Sequence, residues 1–130
     1  MIKHARLLIV CCVFLVACSK QEIQTDMDNP LIELVYPKDI PALRTIQPFC
    51  VKTIVSDNAG LSTLYWEIID VKSGKVKIQK DLSPSFTRSL VVEEKIILPA
   101  ELSGEYNYKI TASDRMGNIS KMTIPFSVNN

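Results

Sequence analysis

Residues 55–68 read VSDNAGLSTLYWEI, and their pattern decides the fold. Leu64, Trp66 and Ile68 fall at alternate positions, which on a strand puts all three on one face. The preceding Asp57-Asn58-Ala59-Gly60 has turn composition. Asp and Asn bond their own backbone, and Gly supplies positive φ. Working outward, apolar alternation between turn clusters recurs about every 8–12 residues from Pro30 onward, the spacing of an all-β domain. Seven strands are predicted, over residues 31–36, 49–56, 61–71, 76–82, 88–98, 106–113 and 119–128. Ser73-Gly74 makes a tight turn between the third and fourth, whose Val76, Ile78 and, less clearly, Lys80 share a face. The closest approach to a helical pattern is VVEEKII, and its β-branched residues favour a strand. Seven short antiparallel strands imply a two-sheet sandwich.

Two features refine that expectation. Trp66 stands in the middle of the third strand. Tyr106, Tyr108, Ile110 and Ala112 share a face of the sixth, and Tyr106 follows the turn LSGE. A tyrosine at that corner buries its ring and bonds the turn through its hydroxyl. VSDNAGLSTLYWEI and YKITASDRMGNIS resemble the second-to-third and sixth-to-seventh strand junctions of bacterial immunoglobulin-like and fibronectin-III-like domains. The resemblance covers residues 30–128 and implies a seven-stranded antiparallel Ig-like β-sandwich.

The N-terminus sets the location. Lys3, His4 and Arg6 precede an uncharged apolar run at residues 7–16. A spanning helix needs about 20 apolar residues. The run suits the h-region of a secretory signal instead. Leu15-Val16-Ala17-Cys18 resembles a bacterial lipobox, which implies cleavage before Cys18 and acylation of its thiol and amine, and more than one acyl chain anchors stably. Residues 1–17 are therefore expected to be a lipoprotein signal peptide, with lipidated Cys18 and a flexible tether at 18–29 and the sandwich at 30–130. Residues 19–29 span at most about 38 Å extended. The whole resembles the small Ig-like lipoproteins of Bacteroidota, a family without an assigned function. That implies a lipid-anchored protein of the cell envelope, expected at the outer membrane, with another envelope protein or a glycan as partner.

Cleavage also bounds the chemistry. It removes Lys3, Arg6 and His4, the only histidine, leaving 13 basic residues against 14 acidic ones. Nucleic acid, which calls for a clustered basic face, is not an expected partner. Without imidazole no Ser-His-Asp or Cys-His pair forms. Glu93 and Glu94 are neighbours on a strand and point to opposite faces, so they cannot flank one bond. Cys50, within the apolar PFCVKTIV, reads as a small buried hydrophobe rather than a reactive thiol. No catalytic residue is expected, and the predicted function is a non-enzymatic, adhesion-type binding module.

The loops offer the remaining candidates. Sandwich order gathers Asp28, Asn29, Asp57, Asn58, residues 83–86 and residues 114–118 at one end. The oxygens of Asp28, Asp57, Asn58, Asp114 and Asn118 suit Ca²⁺, a hard cation. These residues also close turns, which is the simpler reading, and no D-x-D-x-D-G loop is present. No metal is therefore expected; a calcium-binding, cadherin-like adhesion domain is the alternative function. Phe86 either caps the core or stands exposed beside Arg88, and Tyr65 lies on the face opposite Trp66. Exposed aromatics there would suit a carbohydrate-binding accessory of a glycan-uptake system, a third reading.

Overall fold

The structure, a computed structural model, describes residues 25–40, 42–45 and 47–129. The expected signal peptide, Cys18 and the first part of the tether lie outside them. Eight strands form: β1 (Leu31–Tyr36), β2 (Leu43–Arg44), β3 (Pro48–Ser56), β4 (Leu61–Asp70), β5 (Val76–Leu82), β6 (Ser89–Ile97), β7 (Gly104–Asp114) and β8 (Ile119–Asn129). One sheet has the order β1-β3-β6 and the other β2-β8-β7-β4-β5. No helix occurs among the described residues. This is an all-β, two-sheet Ig-like sandwich.

The expected strand number is corrected from seven to eight. β2 is two residues long and pairs parallel to β8, Leu43 with Val128 and Arg44 with Asn129. Two residues carry no alternation to read, so only the partner strand reveals it.

Alternation fixes what each sheet buries. The three-stranded sheet turns Phe49, Val51, Thr53, Val55, Val92 and Ile96 inward. The five-stranded sheet answers with Leu64, Trp66 and Ile68 from β4 and with Tyr106, Tyr108, Ile110 and Ala112 from β7, all buried. Trp66 pairs with Ile110 and Tyr108 with Ile68, so the two rings are diagonal neighbours across β4 and β7, with centroids 5.5 Å apart. Tyr106 stacks on Phe126 at 5.8 Å, and its hydroxyl donates to the Ser103 carbonyl at 3.1 Å. The tyrosine corner forms as expected.

Cys50 is a correction: it is exposed. Phe49 and Val51 both take core positions, and strand alternation then turns the residue between them to solvent. The same rule separates Glu93 from Glu94. Glu93 lies outside, accepting from the Tyr36 hydroxyl and pairing with Lys52. The hydrogen bond to Glu93 pushes the Tyr36 hydroxyl up to about 12. Glu94 points between the sheets at their open margin, where Lys80 of β5 meets it at 2.8 Å. Lys80 does share the inner face of Val76 and Ile78, as a latch between the sheets rather than a core residue.

The register defines two poles. Leu31 pairs with Ser56, Ser56 with Ser89, and Leu61 with Asp114. The start of β1 and the β3–β4, β5–β6 and β7–β8 connections thus meet at one pole.

Candidate metal centre

The site grows from two turns of the same kind. β3 ends in Ser56-Asp57-Asn58-Ala59-Gly60, and β7 ends in Ser113-Asp114-Arg115-Met116-Gly117. In each, Asp folds back on its own loop and Gly, three residues on, takes positive φ, +97° at Gly60 and +89° at Gly117. Asp57 Oδ1 accepts from the amides of Ala59 and Gly60, both at 2.8 Å. Asp114 Oδ1 accepts from the amides of Met116 and Asn118, again at 2.8 Å. Because β4 and β7 are neighbours, the turns sit side by side.

A third carboxylate comes from outside the sheets. Asp26 Oδ1 accepts from the Asp28 amide at 3.0 Å and from Asn58 Nδ2 at 3.2 Å. Asn118 Nδ2 donates both to the Asp26 carbonyl at 3.2 Å and to Asp114 Oδ2 at 2.6 Å. One carboxylate oxygen each from Asp26, Asp57 and Asp114 lie within 4.8 Å of one another.

The hydrogen bonds leave a particular remainder. Asp57 is 8% exposed and Asp114 3%. Asp57 Oδ2 and Asp26 Oδ2 are buried and have no protein partner. An unpartnered buried charged oxygen costs more than a kcal/mol or so in desolvation. Like charges at about 4 Å add roughly 1 kcal/mol per pair in water and about 4 at an effective dielectric of 20. A cation between the carboxylates removes both costs.

Three carboxylate oxygens are hard ligands, of the kind Ca²⁺ takes. Oxygens around Ca²⁺ lie about 2.3–2.6 Å from it, so two ligands on opposite sides stand about 4.8 Å apart. The three oxygens, all within 4.8 Å of one another, can share such an ion. Three carboxylates leave further positions for amide or carbonyl oxygens and water, which the more numerous ligands of Ca²⁺ use. Asp114 is also held ready for ligation. Burial pushes its carboxyl up, but hydrogen bonds from the Asn118 side chain and from the Asn118, Met116 and Gly117 amides outweigh this and hold it below the usual carboxylate range.

The sequence-predicted residues separate clearly. Asp57 and Asp114 supply carboxylates, and Asn58 and Asn118 bridge them to Asp26. Asp28 contributes its amide to Asp26, and its carboxylate is not one of the three. Asp26 falls in the polar tether, where the only local sign of a ligand is the Asp-x-Asp of TDMDN just before Pro30.

Phe86 is 54% exposed, and the guanidinium over its ring, 4.3 Å from the centroid, is that of Arg115 rather than Arg88. Ser85 and Phe86 both adopt positive φ, and a Cβ on Gly60 would meet the Phe86 carbonyl at 2.7 Å. Together with the bond from the Asp57 amide to the Arg88 carbonyl at 2.9 Å, this locks the β5–β6 loop behind the Asp57 turn. Tyr65 is half-buried on the outer face of the five-stranded sheet, in register with Asp81 and Thr111.

No protein-family model matches the chain, and no curated protein matches it. Among solved structures it is similar to the fibronectin(III)-like modules of Clostridium thermocellum CbhA, with 14% identity and a TM-score of 0.48, covering 78% of this chain and 47% of that one. It is similar to CopC from Methylosinus trichosporium OB3b, with 19% identity and a TM-score of 0.44, covering 76% and 94%. It is also similar to a CARDB domain from Pyrococcus furiosus in complex with di-metal ions, with 12% identity and a TM-score of 0.46, covering 78% and 88%. This chain thus spans about half of the first of these structures and most of the other two, and such distant likeness says nothing of what it binds.

Proposed function

We propose that the chain is a non-enzymatic interaction module of a bacterial cell envelope, lipid-anchored through Cys18, whose loop pole binds Ca²⁺. One observation carries the reading: Asp26, Asp57 and Asp114 each bring a carboxylate oxygen within 4.8 Å of the others, while Asp57 Oδ2 is buried and has no protein partner. Affinities of extracellular calcium modules lie around 10⁻⁴–10⁻³ M. At 10 mM Ca²⁺ such affinity adds roughly 1.4–2.7 kcal/mol. For a domain of this size that raises Tm by about 5–15 °C. Differential scanning calorimetry of the full-length protein in detergent should show this rise, and Asp57→Asn should abolish it. A wild-type Tm that is the same in Ca²⁺ and in EDTA contradicts the reading.

The fold also supports an orientation for the anchored module. Residues 25–30 reach the sandwich at the cation pole, so that pole faces the bilayer. The far pole, with Leu43, Arg44 and Glu101, and the sheet faces point toward a partner, which we take to be another envelope protein. Cross-linking of intact cells should place partner contacts on these surfaces. Contacts confined to residues 57–60 and 114–118 would reverse the assignment.

A further inference from the structure

Resting on the calcium reading, we infer that the cation is a clasp: Ca²⁺ binding and docking of residues 25–29 onto the loop pole are one event. The three ligands are not held alike. Asp57 and Asp114 sit at strand ends, each fixed by backbone hydrogen bonds of its own turn. Asp26 belongs to no strand. Side-chain hydrogen bonds tie it to the body through two amides, Asn58 Nδ2 and Asn118 Nδ2, each at 3.2 Å. Against those two bonds stand two carboxylates within 4.8 Å of its own. Without a cation, charge repulsion drives Asp26 away while the other two ligands stay in place. With a cation, the same three charges pull the segment in. The buried Asp26 Oδ2, unpartnered in the docked arrangement, marks the contact that needs the ion.

Docking changes the length of chain between the anchor and the body. From Cys18, eleven residues precede Pro30, but only seven precede Asp26. Maximum reach falls by about 14 Å. Calcium thereby sets how high the module stands above its lipid anchor and how freely it turns, so a partner at a fixed distance is met in one calcium state and missed in the other.

The test is hydrogen exchange by mass spectrometry on the full-length protein in detergent, in 10 mM Ca²⁺ and in EDTA, with Ca²⁺ affinity measured in parallel by titration calorimetry. Ca²⁺ should slow exchange in residues 26–29 at least tenfold. Asp26→Asn should keep the calcium-free Tm, weaken Ca²⁺ at least tenfold and leave this segment exchanging fast at the same Ca²⁺ concentration. If wild type binds Ca²⁺ but residues 26–29 exchange alike in both conditions, or Asp26→Asn binds with wild-type affinity, the clasp is wrong and the calcium site stands. If wild type binds no Ca²⁺, both fall.

Discussion

Asp114→Ala is expected to abolish the calcium response and to destabilise the calcium-free protein by about 2–4 kcal/mol. Its carboxylate accepts from the backbone amides of Met116 and Asn118 and from Asn118 Nδ2. Bonds to a charged group contribute about 1.5–3 kcal/mol each, and water at the exposed loop recovers part of the loss. Asp114→Asn separates the two roles. It keeps an oxygen for the loop amides, so the turn survives, but it removes the charge that holds the ion. Acid should act on the same residue. Because the folded carboxyl sits below its ordinary range, its contribution is fully present above the unfolded value near 3.9 and is lost as pH falls through the folded value. Urea unfolding at pH 7 and below pH 4, without calcium, should show Asp114→Asn losing less stability on acidification than wild type. Equal losses would mean that Asp114 is not the paired carboxylate described.

Trp66→Ala should cost about 3–5 kcal/mol, a large part of the 5–15 kcal/mol that holds a domain of this kind together. Trp66 is 4% exposed in the middle of β4, between β5 and β7, with its ring against Tyr108. No neighbour can close the volume it would leave without moving a strand. Trp66→Phe should cost less, about 1–2 kcal/mol. The indole Nε1 has no protein partner, so only ring volume is lost. Urea midpoints measure both, with an unchanged m-value showing that the unfolded state is not involved. A cost below about 1 kcal/mol for Trp66→Ala would place the indole outside the core.

The sandwich was legible because its signals are local. Alternation in LSTLYWEI and YNYKITA marks β4 and β7, and the tyrosine corner needs only the turn beside Tyr106. Asp57 and Asp114 were legible too, though only as turn formers, since the same side chain that closes a loop can leave its second oxygen for an ion. What escaped depends on distant partners. β2 exists through its pairing with β8. Cys50 lies in an apolar run whose parity is settled when Phe49 and Val51 enter the core. Asp26 bonds Asn58 and Asn118, residues 32 and 92 positions away, and nothing in its own neighbourhood announces that. The sequence leaves Phe86 either capping the core or exposed; it is exposed, and the cation over it comes from Arg115, across the pole.

Anomalous diffraction from a crystal of the protein grown in millimolar CaCl₂ bears most directly on the metal centre. A single peak is expected at the loop pole, about 2.3–2.6 Å from carboxylate oxygens of Asp26, Asp57 and Asp114 together. A pole with no anomalous peak, or a peak that Asp57 does not touch, would contradict it.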